Sequence, residues 1–298
     1  MMKKNNLIII EKKIKKNQSP TKEVLMRLFR NKSAMIGIVV FTIIAILSLS
    51  APLLVDYYED CIEQKLSDRF LPPSAEHWFG TDAFGRDVFA RILYGGRISI
   101  SLGIVSTGIS LLIGGTLGLL AGYYGKKTDE IIMRIMDSIM AIPGIIFALA
   151  IVAALGPEIK NLIIAVLVMQ IPSFARITKS AVLGVANAEY IEAAKTYAAS
   201  PFRIIVRYVL PNSLGPVIVQ ASMAVATMIM AMAGLSFIGM GVQPPTPEWG
   251  LMLSEAKEYI RYMPGLMYYP GAAIIITSLS LNLFGDGLRD ALDPKLKD

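Results

Sequence analysis

Long uncharged apolar runs alternate with short polar segments along this chain. Residues 33–55 carry no charged side chain. A helix of that length, at about 1.5 Å per residue, crosses a hydrocarbon core of about 30 Å. A second span is predicted over about 98–123, within the charge-free residues 98–125. A third is predicted over about 135–155, kinked at Pro143-Gly144 and ended by Gly156-Pro157. The fourth starts near Asn161; only 15 residues separate Lys160 from Arg176, so it continues to about 183 with Arg176 and Lys179 snorkelling. The fifth lies within the uncharged interval 208–247, over about 214–241, and the last over about 264–285. The pattern predicts an all-α polytopic membrane protein of six transmembrane helices, with residues 1–32 a polar tail and 33–298 the membrane domain.

Four polar segments change this picture. Residues 1–32 hold ten Lys or Arg against two Glu and lack a signal-peptide cleavage pattern. Residues 56–97 hold eight acids and five bases and form an extramembrane loop. A second such loop opens at Pro244-Pro245 and Trp249. The fourth segment, 189–212, reads EYIEAAKTYAASPFRIIVRYVLPN and predicts two short helices. The first runs roughly from Ala188 to Ala199 with Asn187 as its cap, Ile191, Ala194 and Ala198 sharing a small apolar face. The second starts at Ser200 with Pro201 in its first turn and stops before Pro211. Phe202, Ile205, Val206 and Val209 form its apolar stripe, and Arg203 and Arg207 lie on the other side.

Composition and charge narrow the function. The chain is 54% apolar and 17% charged, outside the range of a soluble enzyme. The net charge of +6 reflects no basic patch with interleaved aromatics, which argues against nucleic acid. With the N-terminus inside, twenty-one Lys or Arg fall on the inner side and eight outside, as membrane topology requires, and the 189–212 segment is then cytoplasmic. Both termini are expected in the cytoplasm.

One cysteine, Cys61, and one histidine, His77, exclude an internal disulfide and argue against a metal cluster. Gly125-Lys126-Lys127-Thr128 is no phosphate loop, because Leu120 stands at the first glycine position and Lys127 at that of the Ser/Thr. Asp137 is expected to pair with Arg134 one turn earlier. Gly114, Gly118 and Gly122 recur every four residues and predict close approach of another helix. Gln170, beside Pro172, with Gln220, Met223 and Met228 of a Met-rich fifth span, are candidates to line a pathway. In the outer loop, Asp82, Arg86 and Asp87 are expected to pair in a turn bracketed by Gly80 and Gly85.

Glu192-Ala193-Ala194, followed by Ile205 and Leu210-Pro211, resembles the EAA loop of permease subunits of bacterial binding-protein-dependent ABC transporters. The stretch from His77 to Gly103, with Gly80-Thr81-Asp82, Gly85-Arg86-Asp87, Arg91 and Tyr94-Gly95-Gly96-Arg97, resembles the dipeptide, oligopeptide and nickel branch of that family. The likeness covers about Lys32 to Lys297. It implies a type I ABC importer transmembrane domain in the bacterial inner membrane, with a coupling element of Glu192, Ala193, Ala194, Ala198, Arg203, Ile205, Leu210 and Pro211. The outer-loop signature would comprise Gly80, Thr81, Asp82, Gly85, Arg86 and Asp87, fixing that loop on the bundle. Ala198 stands where the family usually has Gly, which argues against a left-handed backbone there.

The implied partners are a second permease, by the branch a paralogue, two cytoplasmic ATPases and an extracytoplasmic substrate-binding protein. This chain is expected to bind no cofactor; ATP and Mg2+ would be used by the ATPases. Di- or oligopeptides are the expected cargo, with nickel or a metal chelate second. A standalone channel or secondary transporter would need intramembrane ionisable groups, of which Asp137 is the chief candidate. An intramembrane enzyme would need paired catalytic groups at membrane depth, and His77 lies in an outer loop.

Overall fold

A computed structural model describes residues 20–293. Most of the basic tail and the last five residues lie outside the described residues. An amphipathic helix, α1 (Pro20–Arg30), precedes the first span, α2 (Lys32–Leu49), which a short α3 (Ala51–Leu54) continues after Ser50. The sequence predicts one span to Val55; Pro52, which has no amide to give, resets the helix at that point. A small helix α4 (Tyr57–Cys61) and irregular loop follow, with one two-residue bridge between Thr81 and Asp87.

The second span, α5, runs Val88–Tyr124 and starts ten residues before its predicted bound. Asp87 caps it, its carboxylate accepting from the Ala90 amide at 2.7 Å. The third predicted span is two helices, α6 (Lys126–Met140) and α7 (Gly144–Leu155), bent by 83°. The break sits where Pro143-Gly144 predicts a kink. Across the next turn the Asn161 amide donates to the carbonyls of Leu155 (2.8 Å) and Gly156 (3.0 Å), tying α7 to α8 (Ile159–Ala186).

A hairpin of α9 (Glu189–Thr196) and α10 (Pro201–Ile204) then leads through a π turn, Ile205–Val209, into α11 (Leu210–Phe237). A short helix α12 (Trp249–Ala256) then precedes α13 (Gly265–Leu292), the last helix among the described residues. Five of these helical stretches are long and apolar enough to cross a membrane, and the bent pair makes a sixth span if counted as one.

Glycines set the closest packing. A Cβ at Gly114 would stand 2.4 Å from the Ile171 carbonyl oxygen, and one at Gly118 2.2 Å from that of Ala175, so only hydrogen there lets α5 reach α8. In lipid, where burial of apolar surface gives no drive for association, such backbone proximity is what holds helices together. Asp137 corrects a sequence expectation: it bonds Arg176 of α8 at 2.6 Å, not Arg134. A bent α6 leaning on α8 brings a residue 39 positions away closer than the neighbour one turn back.

The packing fixes the sidedness of the elements. Ser48, near the end of α2, meets Gly96 at the start of α5, whereas Ala34 at the start of α2 meets Gly287 at the end of α13. The hairpin's core includes Val182 of α8 with Leu119 and Tyr123 of α5 against it. The start of α2, the hairpin and the end of α13 therefore share one side of the bundle. The 56–87 loop and α12 share the other.

Candidate functional site

The hairpin is anchored by a small apolar cluster. Val182, Ile191, Ile204 and Val209 are buried together, with Ala194, Ala199 and Tyr208 half-buried against them. Asn187 ends α8 and does not cap α9; Ala188, in extended backbone, begins α9 with no side-chain cap. At the other end of α9 the Ala199 amide donates to the Ala194 carbonyl (3.2 Å) and the Ala198 amide to that of Lys195 (3.0 Å). This pair of bonds is a Schellman motif, whose penultimate residue must adopt left-handed backbone. Ala198 does so, with φ +53, against the sequence expectation. The geometry of the motif overrides helix propensity here, at a cost of roughly 1–2 kcal/mol for a residue with a Cβ.

Ser200 then caps α10, accepting from the Arg203 amide at 3.4 Å, with Pro201 in the first turn as predicted. The helix does not stop before Pro211. Proline cannot donate to the carbonyl one α turn back, and the chain widens instead, the Leu210 amide reaching the Ile205 carbonyl. The Asn212 side chain donates to the Tyr208 carbonyl at 2.6 Å.

The apolar stripe is also revised. Ile204 and Val209 face inward, Ile205 is half-buried, and Val206 and Phe202 are exposed, Phe202 at 77%. Tyr197 is 87% exposed. In the same segment Glu192, Ala193, Lys195, Ala198, Arg203, Arg207 and Pro211 are also exposed, while Ala194 and Leu210 are half-buried. The surface thus carries aromatics framed by charges of both signs, the composition of a protein-binding hot spot. Sequence reading assigned Phe202 to the buried stripe and did not single out Tyr197, because an aromatic in an amphipathic segment is by default a core residue.

On the opposite side a buried ionic cluster holds the outer loop to α12. Gly80 (φ +74) and Gly85 (φ +76) bracket a turn in which Asp82 accepts from the amides of Phe84 (2.8 Å) and Arg86 (3.1 Å). Its other oxygen accepts from Arg86 Nε at 2.7 Å and Arg91 Nη1 at 3.0 Å. Both guanidiniums also donate to one oxygen of Glu255 on α12, at 3.0 and 2.8 Å. Arg86 and Arg91 are almost wholly buried, so their charges are neutralised by these two carboxylates. Burial pushes the Glu255 carboxyl up to about 7, the Arg86 guanidinium opposing the shift in part.

The sequence places Asp87 in this turn, but the structure takes it elsewhere: it caps α5 and bonds His77 Nδ1 at 2.8 Å. Thr81 accepts from the Leu71 amide at 2.8 Å and donates to the Asp68 carbonyl, fixing the loop's return. Beside the cluster, buried Glu248 caps α12 at the Gly250 and Leu251 amides (2.9 and 2.8 Å) and accepts from Ser99 of α5 at 3.0 Å. The Trp249 indole donates to the Ile92 carbonyl at 3.0 Å.

The four pathway candidates divide. Gln220, half-buried on α11, donates to Ser173 of α8 at 3.4 Å, and Met223 packs at Gly285 of α13. Gln170 is buried on α8. Met228 is wholly enclosed in the cluster of Val152, Leu162 and Val166, so it packs the subunit's interior and offers no surface to a pathway.

A family model described as binding-protein-dependent transport system inner membrane component matches residues 114–298. A second, the N-terminal TM domain of oligopeptide transport permease C, matches residues 19–73. The chain is 45% identical to the dipeptide transport system permease protein DppC of Alkalihalophilus pseudofirmus, over 94% of this chain and 91% of that one. It is 48% identical to the glutathione transport system permease protein GsiD of Pectobacterium atrosepticum, over 76% of this chain and 75% of that one. Among solved structures, a chain of the inward-facing MetNI methionine ABC transporter superposes with a TM-score of 0.55 at 21% identity, covering 65% of this chain and 93% of that one.

Proposed function

The chain belongs to the family of binding-protein-dependent transport system inner membrane components, as a permease subunit of an ABC importer, and from that membership we propose that its 189–209 hairpin is where a cytoplasmic ATPase docks. The observation that carries this reading is the exposure of Tyr197 and Phe202 beside Glu192 and Arg203, on a hairpin whose other face is locked to the ends of α5 and α8. An aromatic pair of this kind would fill a groove of a soluble partner, with the charges setting orientation. Because the hairpin is anchored to two spans and runs without a break into a third, displacing it moves α5, α8 and α11 as a packed body.

On this reading a second permease, a paralogue by the branch, completes the pathway. Two ATPases supply the work through ATP and Mg2+, and an extracytoplasmic binding protein delivers the cargo. This chain performs no hydrolysis itself. The hairpin and both chain ends lie in the cytoplasm, which agrees with the excess of Lys and Arg on that side. The cargo is a small peptide, in keeping with the dipeptide and glutathione permeases to which the chain is similar. Family membership favours this reading over a standalone channel or an intramembrane enzyme.

The test is a pair of variants in the assembled transporter. Phe202→Ala and Glu192→Lys should each lower ATPase co-purification and peptide uptake at least tenfold, while the thermal midpoint of the permease stays within about 2 °C, the shift expected for under 1 kcal/mol. Normal co-purification and normal uptake in both would refute the docking role.

A further inference from the structure

Helix α1 lies outside every span and outside the outer cluster and the hairpin. We propose that α1 is an interfacial anchor that binds anionic lipid headgroups in the leaflet where α2 begins. Its position comes first. Asn31, in extended backbone, separates α1 from α2 and caps the latter, accepting from the Ala34 amide at 3.1 Å. A residue so placed ends one helix axis and starts another, and α1 need not follow α2 away from the bilayer. The Asn31 side chain also bonds Asp290 at 3.3 Å, and α1 packs on the end of α13.

The faces of α1 come second. Val24 and Leu28 are half-buried, whereas Leu25, Met26 and Phe29 are exposed, Phe29 at 60%. Leu25 and Phe29 are one turn apart and share a face. Flanking it are the exposed Lys22, Arg30 and Lys32, all basic. Glu23, the acid of this helix, lies on the same rim as Arg30 two turns earlier and is held by Arg27 at 2.5 Å, which offsets its charge.

The occupant follows from charge and continuity. Helix α1 leads directly into α2, whose Ile36, Val39 and Ile43 are exposed along the span. Residues 1–19 add six lysines against a single glutamate. A helix with an apolar face rimmed by basic residues, joined to a basic segment and lying level with the start of a span, matches an anionic bilayer surface. A soluble protein partner would meet the same apolar face with no acidic residue on it to discriminate. This inference is independent of the docking role of the hairpin.

The experiment uses the assembled transporter in nanodiscs, with a fluorophore on Met26→Cys. Native Cys61 is wholly buried, and burial together with the neighbouring Asp60 raises its thiol's pKa far above the usual range, so it stays unlabelled. A second label on Glu59→Cys, on the exposed side of α4, reports full access to water. In phosphatidylglycerol discs the label at 26 should be quenched by acrylamide several-fold less than the one at 59, and strongly by nitroxide lipid. Phosphatidylcholine discs, or the charge reversals Arg30→Glu with Lys32→Glu, should restore acrylamide access while uptake machinery still assembles. Equal acrylamide quenching at 26 and 59 in phosphatidylglycerol would overturn the proposal. So would shielding indifferent to lipid charge, which means burial against protein, or shielding that appears only when the ATPases are bound, which means a protein partner.

Discussion

The outer cluster and the inner hairpin are built on the same device, a turn through left-handed backbone, and they use it to opposite ends. Outside, the left-handed positions are Gly80 and Gly85, where a Cβ would stand 2.4 Å from the Leu71 carbonyl oxygen and 1.9 Å from that of Lys65. Every charge at the heart of that turn is consumed within the chain, Asp82 and Glu255 against Arg86 and Arg91. Inside, the left-handed position is Ala198, exposed, with open surface around it and with aromatics and charges facing outward. The outer end is finished by its own residues, whereas the inner end presents groups that water serves poorly. One end of the subunit is thus stabilised locally, and the other carries exposed groups that the proposed docking would cover.

That contrast can be broken most severely at Arg91. Arg91→Ala leaves Asp82 and Glu255 sharing one guanidinium, and removing a partner from such a buried pair costs about 3 kcal/mol or more. The thermal midpoint of the purified permease in detergent should fall by several degrees, and an unchanged midpoint would mean the outer end is not self-sufficient.

A smaller effect should appear with pH. The Glu255 carboxyl titrates at about 7 when folded, above its ordinary carboxylate value, so the folded state binds a proton more readily than the unfolded chain does. The stability this group contributes is complete below its unfolded pKa and is lost as pH rises through 7. The thermal midpoint should therefore decline between pH 5 and pH 8, and Glu255→Gln should flatten that slope. A slope unaltered by the substitution would assign it to another group.

The mildest change is Ala198→Gly, which relieves the left-handed alanine and should stabilise the hairpin by about 1 kcal/mol. Slower hydrogen exchange of the Tyr197 to Ser200 amides would register it. Faster exchange would show that chain entropy outweighs the relief.

Most of the fold was legible in the residue pattern because lipid imposes one rule, that uncharged runs of span length become helices. The errors fall where charge and span are reconciled by tertiary partners. Val88 to Arg97 reads as loop because Arg91 and Arg97 carry charge, yet Arg91 enters the helix neutralised by Glu255, which is 164 residues away. Asp137 was assigned its sequence neighbour because no local rule reaches across to Arg176. The 83° break was visible as Pro143-Gly144, but its size depends on where α8 holds α6. In the hairpin the cap at Ser200 and the proline after it were readable, since both are local. Pro211 was misread as a terminator because a first-turn proline and a helix-ending one look alike without the π turn between them. The left-handed Ala198 ran against propensity, and only the Schellman bonds explain it.

The broken pair α6–α7 carries one more consequence. Twelve residues rise only about 18 Å, little more than half of the roughly 30 Å of hydrocarbon. The chain at Ala141, Ile142 and Pro143 therefore turns short of a full crossing, its Ala141 and Ile142 amides held by the Asp137 and Ile139 carbonyls (2.9 and 3.4 Å), with Ala141 and Ile142 exposed. Non-helical backbone survives at such depth only against protein or beside a water-filled space. The flank of the subunit that bears this notch is accordingly expected to meet protein or water, and a nitroxide-lipid quencher should leave a probe at Ile142 untouched.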